Sequence, residues 1–222
     1  DAYAKHADQL AESAEGFGRS LNRKETDKYG ISAGNADLDA DDLVEIVTKL
    51  SAQFDPEWGG MNRIPKFPMP AIWDFLLDYS LLSKNEELKE KVFFTLRKIG
   101  MGGIYDQLRG GFSRYSVDGE WFAPHFEKML YDNGLLVKLY ADAYRATGKP
   151  AWRQVFEETI DYVRRDLSHP EGGFYAGEDA DSEGEEGRFY LWTPAQVEAV
   201  LGPADAALAC RAYGVSAAGN FE

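Results

Sequence analysis

Apolar residues recur with helical spacing along most of this chain. Leu43, Ile46, Val47, Leu50 and Phe54 fall at the i, i+3, i+4, i+7 intervals of one helix face, behind Asp41 and Asp42. Two acids at that end suit the positive end of a helix dipole. The same periodicity predicts helices over about 2–21, 70–82, 86–101, 124–147, 151–167 and 204–213. Pro70 and Pro124 stand where a first-turn proline is favoured, and Gly148 stands where a helix ends. A different pattern holds at 173–176 and 188–192, where aromatic clusters flank an acidic run. These read as the two strands of a small β-hairpin, with Thr193 capping a short helix that opens on Pro194. The Gly/Asn/Asp stretch 30–39 reads as a linker. It divides residues 1–38, an N-terminal helix and linker, from residues 39–222.

The connections alternate in length. Long ones fall at 56–69, 102–123 and 168–193, short ones at 83–85 and 148–150. Successive antiparallel helices put alternate connections at opposite ends, so the three long loops are expected together. Each carries glycine pairs with aromatics: Trp58-Gly59-Gly60, Gly102-Gly103-Ile104-Tyr105 and Gly172-Gly173-Phe174-Tyr175. Aligned on Gly60, Gly103 and Gly173, they form an irregular internal repeat of helix hairpin plus loop. The fold class is therefore mainly α: a partial α/α toroid of about half a ring, a site at one mouth, and a β-hairpin in the third long loop.

Composition narrows the function. A net charge of −14 over 222 residues argues against a nucleic-acid partner, because phosphate contacts need lysine and arginine. The single cysteine, Cys210, allows no internal disulfide and reads as a small buried apolar residue. Together with the absence of a signal-peptide pattern it favours a cytoplasmic location. No run approaches the ~20 apolar residues of a membrane span. The chain opens without Met and closes without a terminating signal, so a piece of a longer protein is expected.

The segment 102–133 is too elaborate for a linker, since long ordered loops are usually functional. It runs Gly102-Gly103-Ile104-Tyr105-Asp106-Gln107, then Gly110-Gly111-Phe112, then Pro124-His125-Phe126-Glu127-Lys128-Met129-Leu130-Tyr131-Asp132-Asn133. These motifs, with Pro65-Lys66-Phe67-Pro68 and the acidic run 178–187, closely resemble the spermatogenesis-associated, thioredoxin-domain protein family. The resemblance covers about residues 40–222. It implies a six-hairpin glycosidase-like toroid, like that of sugar epimerases and hydrolases, preceded in the full-length protein by a thioredoxin-like domain. That domain and the remaining toroid helices would be partners of this chain. The Cys-x-x-Cys of such a domain is absent here, so no redox activity carries over.

His125 is the first catalytic candidate, because an imidazole serves as acid or base near neutral pH; capping the loop is the alternative. Glu127 and Asp106 are its candidate acidic partners. In a continuous helix His125 and Glu127 would diverge, and a first-turn Glu stabilises a helix by itself. Asp106 and Arg114 either meet a ligand or pair with each other to staple the loop. Candidate binding residues are Trp58, Lys66, Arg114, Tyr115, Tyr131, Asp132, Glu178, Asp179 and Asp181. Core packing is the alternative for the aromatics, and an ion pair with Lys128 for Asp132. The acidic tip fits only half a calcium loop: Asp179, Asp181, Glu183 and Gly184 match, but Tyr190 stands where the final Glu is required. His6, His125, His169 and Cys210 make no zinc spacing, and no phosphate loop is present. No metal or cofactor is expected.

What the resemblance implies, with these residues as its candidate site, is a carbohydrate-active enzyme domain, epimerase-like or hydrolase-like, acting on a small-molecule or carbohydrate substrate. A non-catalytic glycan- or peptide-binding module is the alternative, as is a scaffold for the thioredoxin-like domain. Whether the chain is an enzyme is left open by the sequence.

Overall fold

The computed structural model describes residues 2–21 and 39–220. The expected linker, except Asp39, lies outside the described residues. The chain forms two compact units, residues 1–44 and 45–222. The first contains α1 (Ala2–Leu21) and the start of α2 (Ala40–Ser51). The Asp39 carboxylate caps α2 by accepting from the N–H groups of Asp41 and Asp42.

The second unit carries two antiparallel helix hairpins. In the first, α3 (Pro70–Ser83) turns into α4 (Glu86–Met101) through Lys84, in the left-handed region, and Asn85, whose side chain caps Leu88 N–H. In the second, α5 (Leu130–Thr147) turns into α6 (Pro150–Asp166) through Gly148 and Lys149. Each helix gives one apolar stripe to a shared core: Trp73, Leu76 and Leu77; Leu88, Val92, Leu96 and Ile99; Leu136, Leu139 and Tyr140; Trp152. Each such side chain contributes roughly 1.5–3 kcal/mol by leaving water. Tyr140 donates its hydroxyl to the Leu96 carbonyl at 2.7 Å, whereas the indole N–H groups of Trp73 and Trp152 are buried in that core without a hydrogen-bond partner. Then α7 (Pro194–Tyr213) follows, broken at Gly202-Pro203 into two helical pieces; Thr193 and Gln196 form its capping box.

The three long loops do meet. Lys66 of the first exchanges two backbone hydrogen bonds with Ser116 of the second. β3 (Lys128–Met129) of the second pairs antiparallel with β4 (Gly177–Glu178) of the third. The second loop also folds on itself, with β1 (Tyr115–Ser116) against β2 (Pro124–His125).

Three expectations need correction. Residues 124–129 are extended, and the helix starts at Leu130. Strand pairing with Tyr115–Ser116 and Gly177–Glu178 outweighs the local proline signal. The hairpin of the third loop is not formed by 173–176 and 188–192. Gly172 and Gly173, both at positive φ, turn Phe174 back onto Ser168, and the hairpin is the tip itself: β5 (Asp181–Ser182) against β6 (Glu185–Glu186).

The repeat register also shifts. In the second loop the counterpart of Gly59-Gly60 is Gly110-Gly111, not Gly102-Gly103. In the first loop, Asp55 N–H donates to the Gly60 carbonyl, Gly59 N–H donates to the Asp55 carbonyl, and Phe54 bridges Met61. In the second, Asp106, Gly110 and Gly111 make the same bonds, and Tyr105 bridges Phe112. Both glycine pairs have positive φ. Gly103 serves a different need: a Cβ there would lie 1.9 Å from the Phe122 carbonyl oxygen.

Candidate functional site

Each aspartate of the repeated loops holds its own turn. The Asp55 carboxylate accepts from Glu57 and Trp58 N–H, and Lys66, 1% exposed, reaches its other oxygen and the Gly119 carbonyl. The Asp106 carboxylate accepts from Leu108 and Arg109 N–H, and Lys128 reaches it at 2.8 Å. Burial pushes both carboxyls up, but the lysine and the backbone donors outweigh it and hold them below the usual range. Lys128 also lies 4.6 Å from the Tyr162 ring centroid and 4.9 Å from that of Tyr190. Lys66 and Asp106 therefore sit inside braces that shape the loops. Glu178 belongs beside them: it accepts from the Tyr162 hydroxyl at 2.7 Å, and burial and this bond raise the pKa of Tyr162.

Outside these braces, two groups of candidate residues gather on the loops. Arg114 joins Glu127 twice: its guanidinium meets the carboxylate at 3.0 Å, and its N–H donates to the Glu127 carbonyl at 2.8 Å. Asp132 lies within the field of this pair. Burial, reinforced by the Glu127 charge, pushes its carboxyl up to about 6, although Arg114 and the Tyr131 hydroxyl pull it down. One carboxylate oxygen, Oδ2, is buried without a hydrogen-bond partner. Tyr131 is exposed on the first turn of α5.

The second group is a column of rings. Phe67 stacks on Tyr115 at 4.7 Å, and Tyr115 on His125 at 4.8 Å with 22° between planes. His125 Nδ1 lies 2.7 Å from the Glu186 carboxylate. The carboxylate can only accept, so Nδ1 carries the proton and Nε2 is the basic nitrogen. His125 and Glu127 therefore take separate partners, as an extended segment allows. Two surface depressions, one lined by residues including Phe54, Glu87 and Phe94 and the other by residues including Val47, Asn85 and Leu88, contain none of these groups.

The remaining candidates stand apart. Trp58 packs on the core under Lys98, whose Nζ lies 4.1 Å from its ring centroid, and its carbonyl accepts from the Trp121 indole. Asp179 and Asp181 are exposed in the third loop, with the Asp179 carboxylate accepting from Asp181 N–H.

No protein-family model matches the chain. Human spermatogenesis-associated protein 20 is 39% identical over 192 residues, which cover 78% of this chain and 24% of the relative. The rat protein of that name is also 39% identical, and an uncharacterized Caenorhabditis elegans protein is 34% identical over 184 residues, covering 77% of this chain and 25% of the relative. The chain belongs to the spermatogenesis-associated protein 20 family. It spans about a quarter of the length of the family members it matches.

Solved structures share its fold. A sugar epimerase from a ruminal bacterium superposes with a TM-score of 0.55 at 14% identity, over 76% of this chain and 50% of the other. Cellobiose 2-epimerase from Spirochaeta thermophila gives 0.51 at 22% identity, over 63% and 41%. The fold of this family member is accordingly part of a six-hairpin glycosidase-like α/α toroid. Among the described residues no helix is long and apolar enough to cross a membrane.

Glu186 is the residue that sequence reasoning missed, since Glu178, Asp179 and Asp181 were the acids of choice in that run. A signal existed. Glu183-Gly184 is a two-residue hairpin turn with both φ values positive, which pairs Asp181 with Glu186 and Ser182 with Glu185.

Proposed function

We propose that the full-length protein acts on a carbohydrate and that the loop mouth of this chain contributes proton-transfer groups to the reaction. The observation that carries this reading is the His125–Glu186 pair on the Tyr115 ring. Glu186 fixes the tautomer and Tyr115 fixes the plane, so Nε2 is presented as a base. The likeness of fold to sugar epimerases supplies the substrate class by analogy.

An epimerisation suits these groups better than hydrolysis. Nε2 would take the proton from the carbon beside the carbonyl of an open-chain aldose. The electron pair would move onto the carbonyl to give an enediol; once the sugar has turned about its C2–C3 bond, the His125 imidazolium would return a proton to the opposite face, and the proton on O1 would go back to its donor as the carbonyl re-forms, giving the epimer. Asp132, carrying a proton for part of the time near pH 6, would donate to the carbonyl oxygen. Arg114, held by Glu127, would orient hydroxyl groups, with Tyr131 at its edge. Asp106, Lys66 and Glu178 would hold the loops that carry these residues. Hydrolysis would instead require two free carboxylates facing one bond, and Glu127 is committed to Arg114.

Thermal shift of the full-length protein against a panel of mono- and disaccharides tests the binding half. At least one reducing sugar should raise the melting temperature of wild type and of His125→Ala alike. No shift with any sugar would remove the substrate class.

A further inference from the structure

The His125–Glu186 pair is too open to water to hold its own geometry. The two side chains are 26% and 52% exposed, and a charged contact in that setting fixes neither partner. Glu186 also stands on a two-residue hairpin whose other acids, Glu183 and Glu185, pair with Arg188. Yet its carboxylate meets one nitrogen of one ring at 2.7 Å. A contact beside the pair must set that register.

The next residue on each strand makes such a contact. Phe126 follows His125, and Gly187 follows Glu186. Gly187 is buried with a φ of +73°, and a Cβ there would lie 2.3 Å from Phe126 Cε2. The Phe126 ring also stacks on Tyr190, with centroids 5.4 Å apart and planes 10° from parallel. The Gly187 carbonyl accepts from Tyr190 and Leu191 N–H at 2.8 and 3.1 Å, so Gly187 and Tyr190 belong to one hydrogen-bonded turn. That turn grips the Phe126 ring.

Alternation along the second loop explains why the grip orients His125. In the extended segment, Phe126 and Lys128 share one face, and His125 and Glu127 share the other. Tyr190 meets both residues of the first face: it stacks on Phe126, and Lys128 Nζ lies 4.9 Å from its ring centroid. Its hydroxyl lies 3.5 Å from the Glu178 carboxylate. With that face pinned, His125 turns to Glu186 and Glu127 to Arg114.

We infer that Tyr190 and Gly187 are positioning residues: their grip on Phe126 brings Glu186 to His125 Nδ1, so docking of the third loop on the second decides which imidazole nitrogen is the base. The inference rests on the pair used in the proposed reaction. Its readout needs no substrate, so the two can fail separately.

Long-range proton–nitrogen NMR of the full-length protein, labelled with 15N-histidine, tests it. At pH 8, where imidazole is neutral, the spectra show which ring nitrogen carries the proton. His125→Gln identifies the His125 signals. Wild type should carry the proton on Nδ1. Tyr190→Leu and Gly187→Ala should each move it to Nε2, the tautomer imidazole favours in water, as Glu186→Leu should. Tyr190→Phe keeps the ring and should keep the wild-type tautomer. Tyr190→Leu strains no backbone, so the test stands even where Gly187→Ala does not fold. Phe93→Leu, which trims a ring stacked on Trp152 in the helical core, controls for lost stability. It should lower the melting temperature and leave the tautomer alone. An Nδ1 proton retained in Tyr190→Leu or in folded Gly187→Ala would overturn the inference. So would a tautomer change in Phe93→Leu or Tyr190→Phe, or a wild type protonated on Nε2.

Discussion

Replacing Lys128 with Met tests whether the buried Lys128–Asp106 pair braces the second loop. The two side chains are 2% and 13% exposed, and the ammonium also reaches the Gly110 carbonyl at 3.2 Å. Methionine keeps most of the volume but leaves the Asp106 carboxylate buried without a cation. Breaking a buried pair from one side costs about 3–5 kcal/mol. Asp106 keeps its two backbone donors, Leu108 and Arg109, so the low end, about 3 kcal/mol, applies here. Amide hydrogen exchange of 105–112 in the full-length protein reads this locally, and such a loss speeds exchange roughly 100-fold. Adding Asp106→Asn should recover much of it, because asparagine still accepts at the turn but carries no charge. The brace depends on a deprotonated Asp106, whose pKa is lowered, so it should persist at neutral pH and fail as pH falls below the usual carboxylate range. A change under threefold for Lys128→Met, or a double variant no better than the single, would refute the reasoning.

Gly111→Ala forces a positive φ on alanine and drives its Cβ into Tyr162; a loss of about 2–4 kcal/mol is expected, read as exchange of 105–112. Asp132 has its pKa raised in the folded state from 3.8 to about 6, so its ionisation weakens the fold as pH rises through that window. Asp132→Asn should therefore match wild type in melting temperature at pH 4 and exceed it at pH 8. After allowance for solvent screening the gain is about 1 kcal/mol, and an equal difference at both pH values would count against it.

Much of the fold was legible. Periodicity located the helices, and alternating connection lengths implied the shared mouth, because both follow from local rules. The start of α5 was not legible, since residues 124–129 are held extended by partners at 115–116 and 177–178. The repeat register was misread for a related reason. Gly102-Gly103 and Gly110-Gly111 look alike in sequence, but only the second pair has positive φ and an aspartate four residues before its first glycine. At the site, the alternative of an ion pair for Asp132 with Lys128 failed because Lys128 turns inward to Asp106. Arg114 paired not with Asp106 but with Glu127, a contact across the loop that spacing does not reveal.

The most direct test of the proposed chemistry follows hydrogen at the carbon beside the carbonyl. The full-length protein is incubated in D2O with each reducing sugar that shifts its melting temperature, and proton NMR is recorded over time. Wild type should lose the C2 proton signal as the epimer grows in, Glu186→Gln should slow this at least tenfold, and His125→Ala should abolish it while still binding the sugar. An unchanged C2 proton with wild type, or undiminished exchange in His125→Ala, would contradict the account.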